Sequence, residues 1–212
     1  MSSGDGWVTC VLGHRHWGRF GAAGLLVIDT DRVVLQHRAP WTHDGDTYGV
    51  PGGARDSHES LIEAAVREAN EEAGLVRADI DPLGLYIDDH GGWSYSTVVA
   101  APARPFHPHA ANAESVSVRW HPVAEVADLP LHHGFAQAWS HLQHRPPRLR
   151  LVVAPGLTDH PRLARLLADG VSVDKITPNT IGVQRLYPHL DGSAPDELVL
   201  TIDTEADLGQ LT

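Results

Sequence analysis

Apolar and polar positions divide this chain into short blocks whose periods indicate their elements. Ala22 to Ile28 and Val33 to Arg38 are compact apolar runs separated by Asp29-Thr30-Asp31, which predicts two strands joined by a polar turn. Leu83 to Ile87 and Trp93 to Ala100 predict two more strands, with Asp88-Asp89-His90-Gly91-Gly92 as the turn between them. Val116, Val118 and Trp120 alternate with Ser117 and Arg119, the period of two that marks another strand. Residues 57–73 follow a helical period instead, with Ile62, Val66, Ala69 and Ala73 on one apolar face that can dock on a sheet. Asp56 and Ser57 are good N-cap residues, and Glu59 stands three past Asp56 in capping-box register. Gly74 supplies a left-handed stop. Phe135 to Leu142 predicts a second, shorter helix.

The punctuation changes at Arg145-Pro146-Pro147-Arg148, a stiff polar break that places a boundary between a domain at 1–145 and an extension at 146–212. In the extension, Leu149 to Ala154 predicts a strand and Pro161 to Leu167 a helix that stops near Gly170. Thr177-Pro178 has the form of an N-cap and first helical residue for a second helix, and Glu197 to Ile202 predicts a last strand. Such a small α/β appendage is below the size at which a lone core is comfortable. It is expected to pack on the first domain or on a second subunit, so a homodimer is among the assemblies it allows. It carries no recognisable catalytic set.

The first helix also bears charge at fixed intervals. Gly53 is followed by Glu59, then by Arg67-Glu68, Glu71-Glu72 and the closing pair Gly74-Leu75. At about 100° per residue, Glu68, Glu71 and Glu72 share one arc beside the apolar face. Three carboxylates about 6 Å apart repel by about 3 kcal/mol per pair at an effective dielectric of about 20, so something cationic must offset them. Arg67 supplies one charge from the edge of the arc. Oxygen-rich clusters of this kind suit Mg²⁺ or Mn²⁺, which bind few carboxylates and keep waters and phosphates as further ligands. The lead-in Tyr48-Gly49-Val50-Pro51-Gly52-Gly53 is a loop whose small residues let a backbone carbonyl approach a ligand closely. The bland alternative is an ordinary solvated acidic face.

Against that alternative stands a match position by position. The segment fills every fixed place of the Nudix box, G-x5-E-x7-R-E-U-x-E-E-x-G-U with U apolar, Ala69 and Leu75 taking the apolar places. The chain therefore resembles a Nudix hydrolase. The resemblance implies an α/β/α sandwich with a mixed sheet, and an enzyme that cleaves diphosphate linkages in nucleoside diphosphates joined to another group. It further implies that Glu68 and Glu72 are the principal metal-binding carboxylates, Glu71 the third, and the carbonyl of Gly53 a further ligand, for Mg²⁺ or Mn²⁺. Arg67 corresponds to the arginine that orients a box glutamate. The base is Glu68 or a distal glutamate, for which Glu114, just before the Val116 strand, is the candidate; its other reading is an exposed loop acid. Glu59 reads equally well as a helix cap and as a direct participant. Non-catalytic sensor members of the family commonly lose box glutamates, whereas all are kept here, which favours an enzyme.

Charge and cysteine content narrow the setting. A net charge of −11 over 212 residues argues against a nucleic-acid polymer as partner. A polyphosphate must then be admitted by local positive charge and metal. Cys10 is the single cysteine, so no internal disulfide is available. The first residues lack a basic and then apolar leader, and no apolar run would span a bilayer, so a cytoplasmic protein without membrane partner is expected. Most of the 15 histidines lie in Pro- or Gly-rich stretches. Cys10-x3-His14-x-His16 is the one close set of ligand types, but it meets no standard zinc spacing and would need a remote fourth ligand such as His43. The bland reading is a strand edge on which Trp17 packs while the polar residues face water.

For a small-molecule nucleotide, four aromatics are candidates to stack the base: Trp41 and Tyr48 beside the loop before the box, and Trp93 and Tyr95 on one face of a strand. Where ADP-ribose members often carry a proline after the box, this chain has His90-Gly91-Gly92. The layout is closer to (deoxy)nucleoside triphosphate enzymes of the family.

Overall fold

The computed structural model describes residues 2–143, 148–153, 161, 180–183 and 197–202. A small antiparallel hairpin comes first, β1 (Trp7–Thr9) and β2 (Arg15–Trp17), with Trp7 opposite Trp17. Strand β3 (Ala22–Asp29) follows and is buried along almost its whole length, because layers cover both its faces. Thr30, at φ 47°, turns the chain into β4 (Arg32–Arg38), so the hairpin expected around Asp29-Thr30-Asp31 forms as read. Two short strands, β5 (Tyr48–Gly49) and β6 (Gly52–Ala54), then lead to helix α1 (Leu61–Ala73). Next come β7 (Ile80–Asp89), β8 (Ser94–Pro102), β9 (Ser115–Pro122) and helix α2 (His133–Leu142).

The sheet is mixed. β3 pairs in parallel with β8 and antiparallel with β6, and its last two residues join β4, which pairs antiparallel with β5 and β9. β7 closes the other edge against β8. Alternate residues of β3 feed two cores. Ala23, Leu25 and Val27 meet Ile62, Ala65, Ala69 and Ala73 of α1 on one side. Leu26 and Ile28 meet Phe135, Ala138, Trp139 and Leu142 of α2 on the other. Each fully buried Leu or Ile contributes about 1.5–3 kcal/mol, so these two faces hold the α/β/α sandwich together. The alanines of α1 let its backbone approach the sheet closely, which carries the box helix onto the sheet at the same place as the box loop.

Four expectations need correction. α1 starts at Leu61, not Ser57, because Ser60 and Glu63 form the capping box. Asp56 is used elsewhere, its carboxylate accepting the Gly4 amide, and Ser57 contacts Ser2. Gly74 ends the helix in the left-handed region at φ 67°, as read. In β9 the alternation breaks: Arg38 faces Ser115 and His37 faces Ser117, so Val116 is the extra residue of a bulge and is exposed while Ser115 is buried. Trp93 lies just before β8 and not within it.

The fourth correction falls in the extension. β10 (Arg148–Val153) pairs antiparallel with β11 (Thr180–Val183) and in parallel with β12 (Glu197–Ile202), a separate three-stranded sheet. The helix expected from Thr177-Pro178 is replaced at 180–183 by a strand, in keeping with β-branched Thr180, Ile181 and Val183. Apart from Pro161, the helix expected at 161–167 lies outside the described residues. Among the described residues no helix is long and apolar enough to cross a membrane.

Candidate active site

The box loop and the box helix meet where β6 pairs with β3, Gly53 opposite Ala23 and Gly52 opposite Gly24. Gly53 lies directly against Glu68: a β-carbon there would stand 2.6 Å from Glu68 Oε1. Only glycine leaves the carboxylate that close to the strand backbone. Glu72 is 4% exposed and accepts the Gly52 N–H at 2.8 Å. Burial pushes its carboxyl up to about 7, against the Gly52 amide and the Gln36 side chain, which favour the charged form. Burial likewise raises Glu68, opposed by Arg67.

Arg67 organises the acids around it. Its Nε donates to Glu59 Oε1 at 2.7 Å, Nη2 to Glu59 Oε2 at 3.0 Å and to the Ala54 carbonyl at 2.9 Å, and Nη1 to Glu68 Oε1 at 2.8 Å. Glu71 Oε2 is 3.6 Å from the same Nη1. The hydrogen bond from Arg67 holds the Glu59 carboxyl below its usual range. Glu59 also accepts the Asp56 N–H at 2.9 Å, so its capping role is real but belongs to the turn before the helix. Arg67 thus meets part of the repulsion that the carboxylate arc creates, while Glu72 turns the other way, to Gly52. The three carboxylates are consequently not drawn into one compact set. Their all-oxygen chemistry and the raised carboxyls of Glu68 and Glu72 nonetheless fit a hard divalent cation, which would relieve the cost of charge at both.

The chain after α1 clamps the end of the box helix. Ala111 N donates to the Glu72 carbonyl at 3.0 Å, and Gln36 Nε2 to Ser115 Oγ at 2.9 Å. Glu114 is exposed in this turn, its carbonyl accepting the Ala39 N–H at 2.8 Å. It stands one residue from buried Ser115, at the bulge that opens β9. Gln36 and Ser115 were not singled out by the sequence. The available signal was Gln36 itself, a lone amide directly after the apolar run Val33 to Leu35, and its Oε1 is buried without a hydrogen-bond partner among the described residues.

A NUDIX domain profile matches residues 18–142, more than half of the chain and every element from β3 to α2. The chain belongs to the Nudix family. A Mycobacterium tuberculosis protein bearing the provisional name 8-oxo-dGTP diphosphatase 3 is 48% identical over 159 residues, which span 70% of this chain and 73% of that one. A Bifidobacterium longum nucleoside triphosphate pyrophosphatase/Nudix hydrolase fusion protein is 42% identical over 145 residues, 64% of this chain and 30% of the fusion. The crystal structure of RenU, a Nudix hydrolase from M. smegmatis, superposes with a TM-score of 0.62 at 46% identity, covering 66% of this chain and 93% of its own. The protein is a Nudix hydrolase and, in broad terms, a nucleotide diphosphatase.

The aromatics expected to serve a Nudix substrate occupy separate places. The Tyr95 hydroxyl lies over Gly24 and Gly52, where any side chain would collide with it, and burial raises its pKa. Trp93 does not join it: its ring stacks on His16 at 3.9 Å and its Nε1–H is donated to the Gly18 carbonyl. Tyr48 stacks on His37 at 4.5 Å, and Trp41 is 73% exposed in the loop before β5. An open groove of about 620 Å³ runs between the turn before α1, at His58 and Glu59, with the first residues of that helix, and Ser94 and Ser96 of β8. Of the fixed box residues it touches only Glu59, and Glu68 and Glu72 do not line it.

Proposed function

We propose that the protein is a divalent-metal-dependent pyrophosphohydrolase of (deoxy)nucleoside triphosphates or closely related nucleotides. The observation that carries the reading is the intact box, with Glu68 against Gly53 and Glu72 buried at Gly52. Glu68, Glu71 and Glu72, with the Gly53 carbonyl, would hold Mg²⁺ or Mn²⁺. When bound, such ions neutralise diphosphate charge and acidify a water. Arg67 fixes the Glu68 carboxylate, and Glu59 in turn fixes Arg67. Glu68 or Glu114 takes the proton from the attacking water, so that hydroxide forms a bond to phosphorus as the bridging P–O bond breaks. Tyr95, against the box loop, is better placed than Trp93 to meet the nucleotide, with Tyr48 and Trp41 at the loop before the box.

The names of the M. tuberculosis and B. longum relatives support a nucleoside triphosphate, with oxidised dGTP as a member of the class to test. We read 1–145 as the hydrolase domain and 146–212 as a separate extension, in line with the end of the family match at 142 and the separate sheet of β10, β11 and β12. The test is a panel of NTPs, dNTPs, 8-oxo-dGTP, ADP-ribose, NADH, dinucleoside polyphosphates and nucleotide sugars, assayed for pyrophosphate or phosphate release. Turnover of triphosphates with Mg²⁺ or Mn²⁺ and none in EDTA is expected. Preference for ADP-ribose, or binding without turnover, overturns the reading.

A further inference from the structure

The β1–β2 hairpin and the β7–β8 turn bring four ligand-type side chains together. Cys10 Sγ and one ring nitrogen each of His14, His16 and His90 all lie within 4.8 Å of one another. His90 is far from the other three in sequence, and only the fold supplies it. Cys10, at 5% exposure, closes the connection between β1 and β2. Gly13 N donates to its carbonyl and its own N–H goes to His14 O, both at 3.0 Å, which makes a tight knuckle. Val11 N donates to the Gly91 carbonyl at 3.0 Å and pins that knuckle to the β7–β8 turn.

Two further observations point to a ligand and not to ordinary packing. His16 Nε2 and His90 Nδ1 are buried and have no hydrogen-bond partner among the described residues, a state that costs free energy unless something accepts their lone pairs. The other nitrogen of His90, Nε2, is 3.1 Å from Asp88 Oδ2. With the proton on Nε2 donated to that carboxylate, the lone pair of Nδ1 faces the cluster. This is the carboxylate–histidine arrangement that orients metal-bound imidazoles. Trp93 fixes the plane of His16 by stacking on it. A water-facing strand edge does not describe Cys10 or His16.

We propose that Cys10, His14, His16 and His90 form a structural zinc site that staples the N-terminal hairpin to the β7–β8 turn. One thiolate and three imidazoles suit Zn²⁺, whose arms of about 2.0–2.3 Å are reached by a small contraction of this set. Binding releases the Cys10 thiol proton to solvent and takes the imidazoles neutral. Four protein ligands leave no open position, so the ion serves the fold and not the hydrolysis. A two-stranded hairpin of three-residue strands is marginal alone, and a tether of this kind would fix it beside the box loop.

The full chain, with any affinity tag removed, is loaded with excess Zn²⁺ or Co²⁺, washed with a weak chelator, desalted and measured by elemental analysis. Wild type and Glu72→Gln are expected to retain about one zinc per chain, whereas Cys10→Ser and His14→Ala retain at least tenfold less. His14 is exposed, so its variant is expected to fold, which circular dichroism checks. Co²⁺-loaded wild type should show a thiolate-to-cobalt charge-transfer band that is absent in Cys10→Ser. Zinc should raise Tm in wild type and not in His14→Ala. Equal retention in wild type and folded His14→Ala, loss of zinc in Glu72→Gln, or a Co²⁺ spectrum without the thiolate band overturns the proposal.

Discussion

The box carboxylates and the Cys10 cluster both gather metal-ligating side chains, yet they are built in opposite ways. The box set is all oxygen, comes from one continuous segment, and is held apart by Arg67 and Gly52. The Cys10 set is sulfur and nitrogen, comes from two distant segments, and is already within 4.8 Å. The difference follows from what each ion must do. A hydrolytic site needs hard ligands with open positions for water and phosphate, and its carboxylates can wait on internal partners. A structural site needs a closed set whose geometry comes with the fold.

The comparison breaks most readily at the carboxylates. Glu68→Gln and Glu72→Gln should each lower kcat by about 10²-fold or more while leaving zinc content unchanged. Cys10→Ser should lose zinc yet keep most of its turnover. Steady-state kinetics beside elemental analysis decides it, and loss of turnover equal to that of Glu68→Gln in a folded Cys10→Ser would merge the two sites into one.

Next in size is the pH response of the metal-free protein. The Glu72 carboxyl titrates at about 7 when folded, against an ordinary 4.5, so the folded state keeps the proton longer. Its contribution is full below pH 4.5 and is lost as pH rises through about 7. The loss is at most about 3 kcal/mol. In EDTA, Glu72→Gln should therefore be more stable than wild type at pH 8, with the gap closing toward pH 4.5. Saturating Mg²⁺ should narrow the gap at pH 8. Urea melts across pH measure it, and parallel curves for the two proteins would contradict the assignment.

A smaller effect is expected at Glu59, which anchors Arg67 without belonging to the carboxylate arc. Glu59→Gln should cost about 2 kcal/mol of stability, the scale of a hydrogen bond to a charged partner, with a kcat loss smaller than at Glu68. Thermal melting and kinetics on the same preparation separate these outcomes. The least change is expected at Gly53→Ala. Its methyl group displaces only the flexible end of Glu68, so Tm should hold while kcat falls about tenfold, equivalent to about 1.4 kcal/mol. A large drop in Tm without a kinetic change would show that Gly53 serves only the strand pairing.

Much of this was legible in the chain because it is local. The apolar runs of β3 and β4, the period of α1 and the stop at Gly74 are short-range patterns, and each formed as read. The box named its own helix and family through spacing alone. What failed was decided by competition between neighbours. Asp56 was as good a cap as Ser60 until the N-terminal segment took its carboxylate. Val116 fits a period of two until the pairing with β4 inserts a bulge. Thr180 to Val183 reads as helix after Thr177-Pro178 until a sheet partner favours its β-branched residues. Trp93 and Tyr95 share a face only if both lie in the strand, and β8 begins after Trp93, at Ser94.

The sequence by itself determined the family, the α/β alternation and the identity of the box acids, since those rest on residue type and interval. Only the tertiary structure decided which acids are buried, because burial depends on β6 closing over α1 and on Gln36 and Ser115 reaching in from β4 and β9. It alone supplied His90 to Cys10, His14 and His16. A chain specifies its periods over a few residues, but a fourth ligand brought from a turn some seventy residues away is fixed by the packing of strands that no local spacing records.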